Sequence, residues 1–270
     1  MITTPETKIC SSIANPTSPL GCLMYNSAFE YLKLNYIYFA FVVTDVENAV
    51  KGIRALNFRG TTISMPYKIE VMKYIDKLDE TVKSIGAVNV IINDNGILTG
   101  YNSDWIGAIT ALKEVTKIRD KKILVLGAGG AAHAVVYGLT KEGGKVKILN
   151  RTISKAEEIA KIFNTEFGGL NEIKNVSNYD IVMNATSVGH KNSNESLIDK
   201  KLLNSNQVIF DTITVPLESK LIKDAKEVGC KVVPGWKMLL YQAVWNFEKF
   251  TGKKAPVEVM EKALKNWATK

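Results

Sequence analysis

Short apolar runs alternate along the chain with longer stretches in which apolar residues return at helical spacing. The first half reads as a strand at KICSSIA (8–14), a helix at CLMYNSAFEYLKLN (22–35) and a strand at YIYFAFVV (36–43). A second helix at DVENAVKGIRALN (45–57) places Val46, Ala49, Val50 and Ile53 on one face, with Asp45 positioned to start it. A strand at GTTISM (60–65) follows, and then AVNVIINDNGILTGYN, in which two apolar runs flank Asn-Asp-Asn-Gly, the signal of a tight hairpin. SDWIGAITALKEV opens a helix with Ser103 or Asp104 as its N-cap. Beyond it, KKILVLGAGGAAHAVVYGLTKEGGKVKILNRT reads as strand, glycine turn, helix, strand, with further strands at DIVMNATS, QVIFDT and KVVPG. Two helices close the chain. The alternation predicts an α/β protein with mostly parallel sheets and two domains. One comprises residues 1–103 with 236–270, and the other residues 104–235, divided near 103–105.

Composition narrows the class. At 270 residues, 46% hydrophobic and 23% charged, the chain has the make-up of an ordinary globular protein of two modest domains. No apolar run nears the ~20 residues that span a bilayer. The start, MITTPETKIC, lacks the basic and apolar regions of a signal peptide. Cys10, Cys22 and Cys230 are odd in number and far apart, which argues for small core residues in a reducing cytoplasm and against a disulfide framework or zinc site. Two histidines, His133 and His190, leave little material for a metal centre, so no metal is expected. The net charge of +8 comes from lysines set beside glutamates, as in SKAEEIAKIF and ESKLIKDAKEVG. That is the pattern of solvated helix faces, so neither nucleic acid nor membrane is expected as a partner.

The glycine turn carries the first chemistry. Gly127, Ala128, Gly129, Gly130, Ala131 and Ala132 form a G-x-G-x-x-A stretch between a strand and a helix. The first glycine permits the tight turn, the second lets a pyrophosphate approach the backbone, and the small last residue allows close packing. An NAD-binding protein usually presents a carboxylate at the end of the next strand to the ribose 2′-hydroxyl. Here the position reads Asn150, Arg151, Thr152 and, one turn on, Lys155. A guanidinium there pairs with a 2′-phosphate, so the expected cofactor is NADP.

A nicotinamide enzyme that oxidises an alcohol also needs a proton acceptor. His133 falls in the helix after the glycine turn, and His190 in a loop reads as a surface residue. Suspicion therefore moves to lysine, tyrosine or carboxylate. Taken alone, Lys68 in SMPYK is one more solvated cation and Asp104 a helix cap.

SMPYK, GAVNV, GYNSDWIG, GAGGAA, NRT, NATSVG and MLLYQA, in this order and spacing, resemble the shikimate dehydrogenase family over nearly the whole chain. The resemblance implies a Rossmann-type NADP-binding domain and an N-terminal α/β domain, completed by the closing helices, with substrate held in the cleft between them. It implies reversible NADPH-dependent reduction of 3-dehydroshikimate to shikimate; the expected partner is a small shikimate-like hydroxy acid, and the expected form a monomer or homodimer. Carried over by position, the catalytic lysine falls on Lys68 and its aspartate on Asp104. Asn89 and Gln242 match substrate-binding positions. Thr186 and Ser187 of NATSVG fall on the cofactor side, and Gly235 and Met238 on the segment facing the nicotinamide.

Departures cluster on the substrate side. The family carries Ser-x-Ser-Pro before the first helix, where two hydroxyls hold the substrate carboxylate. Here the region reads NPTSPLGCLMYN, with Pro19 and Gly21 at the serine positions; a short gap lets Ser18 restore one. Tyr25 replaces the usual histidine, Val90 the threonine after Asn89, and Thr214-Val215 a Tyr-Asn. Thr62 and Ser64 keep hydroxyls near the lysine. Losing two charge-assisted hydrogen bonds costs roughly 1.5–3 kcal/mol each. The expectation is therefore a weak shikimate dehydrogenase, or a divergent relative acting on quinate or another hydroxy acid. A non-catalytic NADP or metabolite sensor is the reading from outside enzymology, and retention of both Lys68 and Asp104 counts against it.

Overall fold

A computed structural model describes residues 3–190 and 194–268. The chain divides into two compact units, Met1–Ser103 with Gln242–Lys270, and Asp104–Tyr241.

The first unit runs β1 (Lys8–Ala14), α1 (Leu20–Tyr31), β2 (Tyr36–Val42), α2 (Val46–Ala55), β3 (Gly60–Ile63), β4 (Lys77–Leu78), α3 (Glu80–Ile85), β5 (Val90–Asp94) and β6 (Ile97–Tyr101). Its sheet has the order β2-β1-β3-β5-β6-β4. β2, β1 and β3 run parallel, while β5 runs antiparallel to both β3 and β6. The β5–β6 turn is the expected hairpin. Asn95 and Gly96 both take positive φ (54° and 89°), and Asp94 pairs with Ile97, as a two-residue type I′ turn requires.

Caps explain the remaining boundaries. Asp45 accepts from the Asn48 amide at 2.9 Å and starts α2. The helix expected over 22–35 instead spans Leu20–Tyr31, because Lys33 turns left-handed (φ 52°) and Leu34 bonds back to the Phe29 carbonyl. β3 stops at Ile63, short of the expected Met65, and Pro66 next along offers no amide to continue a ladder.

The second unit runs α4 (Asp104–Lys113), β7 (Lys122–Leu126), α5 (Gly130–Lys141), β8 (Lys145–Asn150), α6 (Ile153–Phe163), β9 (Glu166–Gly169), β10 (Ile181–Asn184), β11 (Val208–Asp211), α7 (Lys220–Val228) and β12 (Lys231–Val233). All its strands are parallel in the order β12-β11-β10-β7-β8-β9. That is the doubly wound arrangement, in which the order reverses between β7 and β10. Its central strands β7, β10 and β11 are almost wholly buried, as helices on both faces demand. α8 (Gly235–Thr251) starts in this unit and ends in the first, and α9 (Val257–Ala268) follows.

In the first unit, one sheet face packs Val46, Val50, Ile53, Val71 and Leu98. The other carries an aromatic stack in which Tyr25, Phe29, Tyr36, Tyr38, Phe247 and Phe250 meet ring against ring. Arg59 ties its rim. The guanidinium donates to the carbonyls of Phe250 (3.0 Å), Lys249 (3.1 Å) and Asn93 (2.7 Å), and pairs with Asp94 at 2.6 Å. It thereby fastens the end of α8 to the β5–β6 hairpin. Helix-face pairs such as Lys51–Glu47, Lys161–Glu157 and Lys265–Glu261 show how the charge is spread. Among the described residues, no helix is long and apolar enough to cross a membrane.

Arg59→Ala strips donors from three carbonyls and an ion pair at once. The expected loss is about 2 kcal/mol or more, read as a lower urea midpoint with unchanged slope. A change below 0.5 kcal/mol would show that water replaces the guanidinium without cost.

Candidate active site

In the first unit, Lys68 follows the end of β3 by one turn and is half-buried. Its carbonyl accepts from the Val88 amide at 2.8 Å, while Ile63 donates to the Asn89 carbonyl at 2.7 Å. These two bonds lay the Ser64–Lys68 segment beside the entry to β5, so Ser64, Lys68 and Asn89 come together. Ser64 is exposed, with its amide on the Ile13 carbonyl at 3.1 Å. Asn89 is buried, and its side chain grips Ser103: Oδ1 accepts from the Ser103 amide at 2.7 Å and Nδ2 donates to Ser103 Oγ at 3.1 Å. Asn89 thus fixes the residue that immediately precedes Asp104. Ser18 is exposed, and its hydroxyl accepts from the Leu20 amide at 3.4 Å. Gln242 is half-buried on α8.

In the second unit, Asp104 is the first residue of α4 and is buried. The strand ends that carry the other candidates are aligned by register. Leu126 pairs with both Leu149 and Asn184, so the turn after β7 lies between the ends of β8 and β10. Gly127 has φ 108°, and a Cβ there would meet the Ala185 carbonyl oxygen at 2.8 Å and Thr186 Cγ2 at 2.9 Å. Only glycine fits.

Gly129 caps α5 without a side chain, and Gly130 opens the helix; a Cβ at either would meet nothing within 4 Å. The first-turn amides therefore border open space, a cradle into which a pyrophosphate fits. Ala128 and Ala131 are half-buried beside them. Asn150 ends β8 and donates to the Thr152 carbonyl at 2.9 Å, shaping the turn that presents Arg151, Thr152 and Lys155 to solvent. The first turn of α6 holds no acidic residue. These residues fit a 2′-phosphate.

The loops after β10 and β11 are held by a polar network that composition and spacing do not reveal. Asp211 is wholly buried. It accepts from Asn184 Nδ2 at 2.9 Å, from the Ile213 amide at 3.1 Å and from the Ser219 hydroxyl. Asn184 accepts in turn from the Thr186 hydroxyl at 2.7 Å and donates to the Val188 carbonyl at 3.1 Å. Thr186 is therefore committed to the loop, while Ser187 is exposed. Burial pushes the Asp211 carboxyl up, against the three donors that pull it down. Gly235 is needed for packing, since a Cβ would stand 2.3 Å from the Ile213 carbonyl oxygen. Met238 packs into the hydrophobic cluster of this unit.

His133 is half-buried on α5, and burial lowers its pKa; His190 is exposed. Burial raises all three thiols, so none is poised as a thiolate. No cluster of metal-ligating side chains occurs among the described residues.

Three family models match in succession: the shikimate dehydrogenase substrate binding domain over residues 9–91, shikimate / quinate 5-dehydrogenase over 110–228, and the shikimate 5′-dehydrogenase C-terminal domain over 235–265. A shikimate dehydrogenase (NADP(+)) of Pyrococcus abyssi is 40% identical over 257 residues, covering 94% of this chain and 96% of the relative. A crystal structure of a shikimate dehydrogenase in complex with NADP+ superposes with a TM-score of 0.94 at 36% identity, covering 100% of this chain and 98% of that one. The shikimate 5-dehydrogenase of Listeria monocytogenes, solved with shikimate and NAD, gives 0.91 at 34% identity over 97% and 98%.

Asp211→Ala leaves three donors without an acceptor and is expected to destabilise more than Asp211→Asn, which keeps one carbonyl oxygen. Because the folded-state pKa of Asp211 is raised, its contribution is fully present below the ordinary carboxylate range and is lost as pH rises through the folded value. Wild type should therefore gain on Asp211→Asn as pH falls from 7 towards 4 in urea titrations. A margin that shrinks on acidification would contradict this.

Proposed function

Because the chain belongs to the shikimate dehydrogenase family, we propose that it is an NADP-dependent oxidoreductase interconverting shikimate and 3-dehydroshikimate. Near-full-length similarity to NADP-dependent relatives, together with retention of Lys68 and Asp104, carries this reading. The first unit then supplies the substrate-binding residues and the second the cofactor site. Ser64, Asn89 and Gln242 contribute hydroxyl and amide contacts to substrate, and Ser18 a further hydroxyl.

Bound NADP+ would supply the acceptor for the hydride that leaves the alcohol carbon. Everything else is done by side chains. In the oxidative direction Lys68, as the free amine, accepts the proton of the reacting hydroxyl; in the reductive direction its ammonium returns that proton to the carbonyl oxygen. Asp104 hydrogen-bonds the substrate and orients the ammonium. Asn89 supports Asp104 indirectly by holding Ser103. At the cofactor end, the amides at Gly129, Gly130 and Ala131 receive the pyrophosphate. Arg151, with Thr152 and Lys155, pairs with the 2′-phosphate. Thr186 and Ser187 would border the cofactor, and Gly235 and Met238 would face its nicotinamide. The setting is a reducing cytoplasm, and the working form a monomer or homodimer.

NADPH formation at 340 nm (the nicotinamide absorbance band) with shikimate and with quinate, wild type beside Lys68→Ala, tests the core of the reading. Shikimate turnover that drops by about 100-fold or more in the variant is the expected result. Quinate turnover exceeding that of shikimate would move the assignment to the quinate branch of the family. NADP binding with no turnover of either substrate would favour the sensor.

Arg151→Ala separately tests the cofactor end. It should raise the KM for NADP+ at least tenfold more than that for NAD+; equal effects would remove Arg151 from the 2′-phosphate site.

A further inference from the structure

Three hydroxyls converge on one face of the first unit's sheet. Ser12 on β1 and Thr62 on β3 are register partners, so their side chains leave the same face. Tyr38 reaches over from β2. Its Oη lies 2.6 Å from Thr62 Oγ1, and the Ser12 side chain leaves the sheet beside Thr62. Tyr38 is 2% exposed, whereas Ser12 and Thr62 are half-buried and form the open side of the trio.

The phenol is held from several directions. Its ring stacks on Tyr25 with centroids 4.4 Å apart, and Tyr25 is in turn bonded by Asn246 Nδ2 at 3.2 Å. Above it passes α1 at Gly21, where a Cβ would stand 3.0 Å from Tyr38 Cε1 and 3.2 Å from its Oη. A side chain at position 21 would crowd the phenol by a few tenths of an ångström where it meets Thr62. Phenylalanine would fill the same stack, so packing alone does not account for a hydroxyl in this place.

Donor counting shows what the trio can take. Three hydroxyls carry three O–H donors. The contact between Tyr38 and Thr62 absorbs one of them, which leaves donors and spare lone pairs for the half-buried side. Each O–H can also swing outward towards an anion, since a charge-assisted bond is about twice as strong as a neutral one. Thr62 and Ser64 lie two residues apart and share the direction of the strand that leads to Lys68. A ring held with its reacting oxygen at Lys68 can therefore turn the substituent on another ring carbon towards the trio.

We propose that Ser12, Tyr38 and Thr62 form the anchor for the substrate's carboxylate, with Tyr38 as a specificity-determining residue. This rests on the shikimate reading above. The bound carboxylate takes the O–H bonds that the hydroxyls otherwise make to one another, so affinity depends on the phenol oxygen and not on its ring.

The test measures calorimetric Kd in the presence of NADP+, together with steady-state KM and kcat, for shikimate and for its neutral methyl ester. The full chain is compared with Tyr38→Phe, Thr62→Val and Gly21→Ala, each matched for melting temperature and NADP+ affinity. Tyr38→Phe is expected to weaken shikimate by about 10-fold or more, with KM rising more than kcat falls. Wild type should prefer shikimate to the ester, and that preference should shrink by a similar factor in Tyr38→Phe and Thr62→Val. Gly21→Ala, which displaces the phenol and keeps its hydroxyl, should weaken shikimate more than the ester. Shikimate affinity within twofold of wild type in Tyr38→Phe, or equal losses for acid and ester, would overturn the anchor while leaving the enzyme assignment intact. A wild type that neither binds nor oxidises shikimate would overturn that assignment, and the anchor with it.

Discussion

Two backbone approaches, too close for any side chain, set the geometry of the second unit. At Gly127 the turn after β7 presses on the Ala185 carbonyl, and at Gly235 the start of α8 presses on that of Ile213. A cofactor that lies along the carboxyl edge of a doubly wound sheet needs the loops there to hold still at the reversal of strand order. These contacts hold them before anything binds. Gly127 is usually explained by the tight turn it permits; in this chain the loop after β10 independently forbids a side chain. Gly129 and Gly130 are different, because the space around them is open and is suited to an incoming pyrophosphate.

Asp211 completes that arrangement from below. One buried carboxylate receives donors from both the β10 and β11 loops, so the two cannot shift independently without exposing an unpaired donor. The cost is a charge held in a dry site, visible in the raised pKa. A neutral residue would avoid that cost but would accept fewer hydrogen bonds. Positioning two loops together therefore outweighs the desolvation.

Much of this could be read from the chain. Asn95-Gly96 announced its hairpin, Asp45 its helix, and the glycine turn its strand and helix, because each signal is local. What escaped was long-range or short. β4 has two residues and β9 contains two glycines, so neither carries a periodic pattern. The left-handed turn at Lys33 that ends α1 has no special residue to mark it. Asn184 and Asp211 sat in runs that read as core strand, and only the parallel register brings their side chains together. Tyr38 was hidden in the same way, as one aromatic in YIYFAFV. Gly21 looked like a loss of binding capacity, and the structure shows that it also makes room for another hydroxyl.

Neutral hydroxyls suit an anchor of this kind because they leave the local charge unchanged. Hydroxyls bind the carboxylate through short directional bonds, add no net charge, and return to bonding one another when the ligand leaves. The contact between Tyr38 and Thr62 is thus the resting state of the anchor. The stack of Tyr25 on Tyr38 keeps that state ordered, so little freedom is lost when the acid arrives.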